Sequence, residues 1–379
     1  MLKKPSLPAG TLIETPEFTL DELRLGARNH SMPLEALRYP ITPIGLHYLL
    51  THFDIPFVDA AKWRLSVGGR VHQRLQLTLE QLRERPRSTL AVTLECAGNG
   101  RARISPRPLS QPWLVEAIGT AEWTGTPLGP ILREAGLLEA AEDVVFTGID
   151  SGTQGGVLQH YERSLPIGVA LGDEVLLAYE INGQPLPPQH GWPLRLVVPG
   201  WYGMASVKWL RSITVLDREF DGYQQAQAYH FRGEQDSTGI AVTRILPRAL
   251  MVPPGEPDFM SRTRYLAPNP CLLEGRAWSG RARVTRVEVS IDAGESWMDA
   301  RLGDPLSAFA WLPWTYAWDN PAIGEYELCV RATDAAGNTQ PTGQNWSTEG
   351  VENNAVQRVT VVVTSEAERI QRPADEDPN

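Results

Sequence analysis

Cysteine is scarce in this chain: Cys96, Cys271 and Cys329 are the only three in 379 residues. Their wide spacing and odd number exclude a disulfide framework and a CxxC metal pair, and make a reducing compartment the default expectation. Positive charge is also short. Lys and Arg number 35 against 45 Asp and Glu, a formal net charge of -10. That argues against a binder of nucleic acid or anionic membrane, both of which call for a basic surface, although an acidic chain can still hold a local basic pocket. No apolar run approaches the roughly 18 to 20 residues of a membrane span. The opening Met1-Leu2-Lys3-Lys4-Pro5-Ser6-Leu7-Pro8 carries no apolar core of signal-peptide length and no twin arginine. The expectation is a cytoplasmic protein, or a periplasmic one if an export signal has been removed.

What remains is ordinary globular composition, 42% hydrophobic and 21% charged, in a chain too long for one hydrophobic core. Residues 1 to 18 are Pro-rich and suggest an irregular arm. Thr19 with Glu22, and Thr78 with Gln81, have capping-box spacing and predict helix starts. Leu128, Ile131, Leu132 and Ala135 followed by Gly136 predict an amphipathic helix with a glycine C-cap. Between these lie extended runs: Trp63 to Gly69, Leu90 to Leu94, Val144 to Ile149, Glu174 to Ile181 closed by Asn182-Gly183-Gln184-Pro185, and Ser206 to Val215. Strands with short helices between them predict a mixed α+β unit.

Near residue 240 the helical patterns stop and period-two runs take over. Val287, Val289 and Ile291, then Tyr326, Leu328 and Val330, then Val359, Val361 and Val363 each alternate with other residues, separated by turns such as Asp292-Ala293-Gly294. This reads as a β-sandwich of immunoglobulin type. The expected organisation is the α+β unit over residues 1–238, a sandwich over 239–366 and a charged, frayed tail over 367–379.

The stretch with most chemical promise is Val92-Thr93-Leu94-Glu95-Cys96-Ala97-Gly98-Asn99-Gly100-Arg101. It places a thiol between an apolar strand and a turn, where folds put chemistry. Read alone, Cys96 is equally a small buried hydrophobe, the commoner fate of a free cysteine. Arg101, Arg103 and Arg107 form a basic cluster beyond it. Arg28-Asn29-His30 reads as a solvated loop with two potentially cationic side chains, and Trp113 as packing.

Taken in order, Thr93-Leu94-Glu95-Cys96-Ala97-Gly98-Asn99, Trp113 with Gly119-Thr120-Ala121, Ala178-Tyr179-Glu180-Ile181-Asn182-Gly183-Gln184-Pro185-Leu186-Pro187, His190-Gly191-Trp192-Pro193-Leu194-Arg195 and Ser206-Val207-Lys208-Trp209-Leu210 resemble the sulfite oxidase family of molybdopterin enzymes. The resemblance covers nearly the whole chain, including a second domain like that family's dimerisation domain. It implies molybdopterin and molybdenum as cofactors and Cys96 as the metal's thiolate ligand, a soft donor suited to a sulfur-rich centre. His190, Arg195, Ser206, Val207 and Lys208 fall at phosphate-holding positions. Arg28, Asn29 and His30 match a cofactor-lining segment, and Asp150 a further cofactor contact. For a small oxyanion substrate the resemblance implies Arg28, Arg101 and Arg358, with Trp113 and Tyr229 completing the pocket.

The implied reaction is oxidation of sulfite to sulfate by oxygen-atom transfer. With no haem domain and no CxxCH site in the chain, electrons would pass to an external acceptor such as a c-type cytochrome, and the second domain implies a homodimer. One departure stands out. The family commonly carries two consecutive arginines after Ala-Gly-Asn, whereas Gly100 takes the first place here, and the lost charge is expected to alter anion affinity or acceptor docking. Nitrate or sulfoxide reduction on the same scaffold, a non-redox immunoglobulin-like binding protein, and a cysteine hydrolase built on Cys96 and His190 are the competing readings.

Overall fold

The computed structural model describes residues 11–15, 17–233 and 238–365. The expected tail over 367–379 and the first ten residues of the N-terminal arm lie outside them. The chain divides into two units. The first holds Ile41–Ile245, the described residues up to Met32, and Asn345–Asn353; the second holds Pro33–Pro40, Leu246–Gln344 and the described residues from Asn354 on. The expected break at 238/239 thus falls seven residues early, and two short segments cross between the units in a way no composition shift reveals.

The first unit is built on two five-stranded sheets. One runs Gln184–Pro185, Leu176–Ile181, Ile118–Pro127, Ser88–Glu95, with Arg195–Val197 also pairing Leu176–Ile181. The other runs Leu75–Leu77, Leu65–Gly69, Leu210–Leu216, Asp143–Gln154, Val157–Pro166, with a parallel pair only between Leu210–Leu216 and Leu65–Gly69. Leu65, Leu128, Phe146, Leu177, Leu196 and Ile213 are fully buried in one apolar cluster shared by both sheets and the helix Leu128–Ala135. Burying such side chains at about 25 cal/mol per Å² is the main stabilising contribution.

The helices start where the caps predict. Thr19 and Thr78 each close a complete capping box, opening Leu20–Arg28 and Leu79–Arg83. Gly136, with φ at 71°, ends Leu128–Ala135 in a conformation that β-carbon-bearing residues rarely adopt. None of the helices among the described residues is long and apolar enough to cross a membrane.

The second unit is a β-sandwich. A four-stranded sheet (Arg248–Met251, Cys271–Trp278, Leu312–Trp318, Arg301–Leu302) and a six-stranded sheet (Glu256–Pro257, Arg264–Leu266, Gln357–Val363, Gly324–Asp334, Val284–Ser290, Met298–Asp299) enclose Leu273, Val287, Val289, Trp314, Leu328 and Val361. Alternation is what lets one face of each strand bury while the other faces water.

Candidate active site

The strand Ser88–Glu95 stops one residue short of Cys96, whose amide donates to the Ala117 carbonyl at 2.9 Å. The turn that follows is pinned by Asn99. Its side-chain amide donates to Glu95 Oε1 and to the Val115 carbonyl, both at 3.0 Å, and its oxygen accepts from the Ala117 amide at 3.1 Å. Gly98 is required because Arg101 folds back over it: a β-carbon there would meet the guanidinium at 2.5 Å. Arg101 is buried, donating from Nε to the Glu349 carbonyl at 3.3 Å and from Nη1 to the Gln111 carbonyl at 3.2 Å.

Cys96 faces a cavity enclosing about 680 Å³ of non-atom space, its open mouth included. Asp150, His190, Arg195, Ser206, Lys208 and Tyr229 also line it. These side chains come from separate elements: Asp150 from the long strand Asp143–Gln154, His190 from the turn Pro188–His190, Arg195 from the strand Arg195–Val197. The sequence motifs quoted as separate pieces therefore meet in one place.

The cavity's electrostatics follow from burying cations together. Lys208 donates from Nζ to the Leu50 carbonyl at 2.7 Å and the Gln189 carbonyl at 3.1 Å. Burial, then the neighbouring Arg195, hold its ammonium down to about 7, with Asp150 acting the other way. Arg195 donates to the His190 carbonyl at 3.2 Å and the Ser206 carbonyl at 3.0 Å and stacks 4.6 Å from the Trp123 ring centre; burial holds it down to about 10. His190 is pushed to about 2 by burial, and then by His47, Arg195 and Lys208. Every one of these groups is disfavoured in its charged form, which is the signature of a dry, net-positive space short of an anion.

Asp150 is the acidic exception. Burial raises it to about 7 against the pull of Lys208, and its Oδ1 is buried with no hydrogen-bond partner. Cys96 is likewise raised by burial, opposed by the charge of Arg101, the Gly98 amide and the approach of the Trp113 indole. That indole N–H reaches no acceptor at normal hydrogen-bond geometry. Tyr229 is pushed up to about 12, chiefly by burial, so its phenol stays protonated.

Of the residues expected at the site, Cys96, Asp150, His190, Arg195, Ser206, Lys208 and Tyr229 converge on the cavity. Val207 is buried beneath it, its carbonyl accepting from the Leu196 amide at 2.8 Å. Arg101 and Trp113 stand behind Cys96 and act on its thiol. The segment Arg28-Asn29-His30 contributes no side chain to the cavity lining, although the charge of His30 reaches His47 and His190 on its wall. Arg28 ends a helix with its side chain exposed, held by the Phe53 carbonyl at 2.7 Å and Asp54 at 3.3 Å. Asn29 accepts from the Thr51 amide at 2.7 Å, and His30 pairs its backbone with Leu49. The residues they brace, 47–50 and 52, are the ones on the cavity wall.

Arg358 belongs to the second unit. It sits on the second unit's strand Gln357–Val363, ion-paired with Glu327 and donating to the carbonyls of Ala293 and Thr342. Of the three arginines expected around the substrate, Arg101 is the one that is buried and acts on Cys96. Sequence reasoning also passed over His47, Tyr48, His52 and Tyr161. Two of the chain's seven histidines five positions apart in an irregular run were the available signal.

Comparison with known proteins agrees with this geometry. Residues 52–224 match the model of the oxidoreductase molybdopterin binding domain, and residues 249–364 that of the Mo-co oxidoreductase dimerisation domain. Sulfite oxidase of Gallus gallus is 36% identical over 84% of this chain and 72% of its own length. The chain belongs to the sulfite oxidase family. Human mitochondrial sulfite oxidase is 35% identical over 86% of this chain, which spans only 62% of that longer protein. A nitrate reductase of Hordeum vulgare is 32% identical over 85% of this chain and 39% of its own. The crystal structure of the sulfane dehydrogenase SoxCD from Paracoccus pantotrophus superposes with a TM-score of 0.76 at 27% identity, covering 88% of this chain and 86% of that one.

As a member of this family the protein is a molybdopterin-dependent oxidoreductase, and its cavity fits that cofactor. The orphaned Asp150 oxygen suits a pterin N–H, the cationic wall suits a phosphate, and the buried Cys96 suits a soft metal, whose charge would deprotonate it. No group of three His, Cys, Asp or Glu side chains capable of holding a metal occurs among the described residues.

Proposed function

We propose that the protein oxidises sulfite to sulfate and passes the electrons to an external acceptor, a small electron-transfer protein such as a c-type cytochrome. The observation that carries this reading is the closeness of Arg101, Cys96 and Tyr229: the charge of Arg101 pulls the Cys96 thiol and the Tyr229 phenol down, while Cys96 pushes Tyr229 up. When bound, molybdopterin supplies the two-electron chemistry of oxygen-atom transfer. Cys96 would ligate its metal; Asp150, His190, Arg195, Ser206 and Lys208 would hold the pterin and its phosphate. The chain's own contribution is placement and field.

A buried Arg101 offsets the charge of an oxyanion more strongly than it would in water. The protonated phenol of Tyr229 donates a hydrogen bond to a substrate oxygen. The leucines Leu49, Leu50 and Leu94 on the wall exclude water. Homodimerisation through the second unit is part of the proposal, supported by its match to a dimerisation domain.

Steady-state turnover of the molybdenum-loaded enzyme with sulfite, nitrate and a sulfoxide tests the reading. Oxidation of sulfite with an artificial acceptor is the expected result. Faster reduction of nitrate or of the sulfoxide by a reduced donor would replace it.

A further inference from the structure

Behind Tyr229 lies a charge that the reaction as described leaves unused. Arg163 is 2% exposed, from the strand Val157–Pro166. Gln159, Tyr161 and Arg163 alternate along that strand and so share one face. Tyr161 lines the cavity beside Tyr229 and donates its hydroxyl to the Met204 carbonyl at 2.9 Å. Arg163 places its guanidinium carbon 5.4 Å from the centre of the Tyr229 ring and donates from Nη1 to the Gln224 carbonyl. Its Nε has no hydrogen-bond partner, and the groups acting on its charge are the phenols of Tyr161 and Tyr229.

A buried arginine is ordinarily paired, because an uncompensated charge in a dry interior is costly. The Gln224 carbonyl, Tyr161 and the ring face of Tyr229 supply the compensation here, and a desolvated cation over an aromatic ring is a favourable contact. Tyr229 itself has φ at 57°, a left-handed conformation rare for an aromatic residue. Such backbone placements persist only where the surroundings hold them. The holding is extended on the far side. The Gln224 side-chain amide donates to Gln154 Oε1 at 2.8 Å and Gln159 Oε1 at 3.1 Å, and Gln154 Oε1 in turn meets the ring of His52 on the cavity wall.

We propose that Arg163 is a positioning residue for the reaction, holding the Tyr229 ring at the cavity wall through its face and fixing a positive charge behind the phenol. The proposal rests on the reading that Tyr229 meets the substrate. It adds to the anion site a positive charge on Arg163, behind Tyr229. Arg163 touches no substrate and acts through Tyr229 alone.

The test is a double-mutant cycle on the molybdenum-loaded enzyme, with turnover expressed per bound metal. Arg163→Met is expected to lower kcat about tenfold with a smaller change in KM, the scale of a desolvated cation–aromatic contact, and Arg163→Lys to restore most of the loss. In a Tyr229→Phe background, where no phenol is left to place, Arg163→Met should cost less than twofold. An equal loss in both backgrounds, or an undiminished kcat per metal in Arg163→Met, overturns the proposal. Crystal structures of Arg163→Met and Arg163→Lys give a readout free of turnover: Tyr229 displaced in the first and native in the second supports positioning, and an unmoved Tyr229 in both overturns it. Should Arg163→Met not fold, Arg163→Gln takes its place in both arms. Absence of sulfite turnover in the wild type would sink the substrate assignment alone, since the crystallographic arm still decides the role of Arg163.

Discussion

Gly100 and Asn353 are in backbone contact: the Asn353 side-chain amide donates to the Gly100 carbonyl at 2.9 Å, and a β-carbon on Gly100 would stand 2.5 Å from the Asn353 carbonyl oxygen. Gly100 also has φ at 93°. The glycine that reads in sequence as a missing arginine is therefore a steric requirement of this chain. Substituting Gly100→Arg should not restore an anion contact. It should lower stability by about 3 kcal/mol or more through strain and displacement of the 345–353 segment, seen as a fall in Tm of about 6 °C or more. Unchanged Tm with a lower KM for sulfite would restore the lost-charge interpretation.

Arg101 and Arg28 separate on the same logic. Arg101 is buried beside Cys96, so Arg101→Gln removes a desolvated charge and should raise KM for sulfite about tenfold, the scale of one hydrogen bond to a charged group. Arg28 is exposed and committed to Phe53 and Asp54, and exposed pairs contribute little. Arg28→Gln should leave KM within about twofold. Michaelis curves for the two variants side by side decide it.

The contrast shows what can be read from sequence. The helix caps at Thr19 and Thr78 and the turn after Cys96 were legible because their deciding bonds lie within a few residues, as in Asn99 to Glu95. The segment Arg28-Asn29-His30 has the right residue types, but whether it lines a cavity or braces one depends on Asn29 meeting Thr51, a pairing 22 positions away. The alternation that put Arg163 on a strand face looks identical whether that face meets water or Tyr229. The sandwich strands were readable from period two, whereas Asn345–Asn353 joining the first unit has no local signal at all.

The arm before the first helix is tied down by a fully buried ion pair. Arg107 donates to Glu22 through Nε at 2.8 Å and Nη2 at 3.1 Å, and to the carbonyls of Thr15 and Glu17 at 2.7 and 2.9 Å. Burial pushes the Glu22 carboxyl up, but the bonds from Arg107 and Thr19 outweigh it and hold its pKa below the usual value. Arg107→Met leaves that carboxylate buried and unpaired, so unfolding in urea should show a loss of about 3 kcal/mol, and Glu22→Met with Arg107→Met together should lose less than Arg107→Met alone. A larger loss in the double variant would contradict the account.

Cys96→Ser keeps the size of the side chain and the amide bond to Ala117 but replaces a soft donor with a hard one. Molybdenum content should fall several-fold and sulfite-dependent reduction of an artificial acceptor should vanish, while Tm of the cofactor-free protein stays within about 2 °C of wild type. Full turnover in Cys96→Ser would remove Cys96 from the metal.

The paired shifts of Asp150 and Lys208 set a pH dependence for anion binding. Asp150 is raised from 3.8 to about 7, so it sheds its negative charge as pH falls through 7; Lys208 is lowered from 10.5 to about 7, so it gains its positive charge over the same interval. Both changes make the cavity more positive below pH 7. Sulfate keeps a constant charge across this range, and a ligand that binds only the folded state raises Tm in proportion to the logarithm of its occupancy. In protein produced without cofactor, the Tm gain from 10 mM sulfate should therefore be larger at pH 6 than at pH 8.5. In Lys208→Met the gain should be smaller than in the wild type at pH 6 and less dependent on pH, because Arg195 remains as the cavity's cation and only Asp150 still titrates. An equal gain at both pH values in the wild type would show that the two groups do not share the cavity with the bound anion.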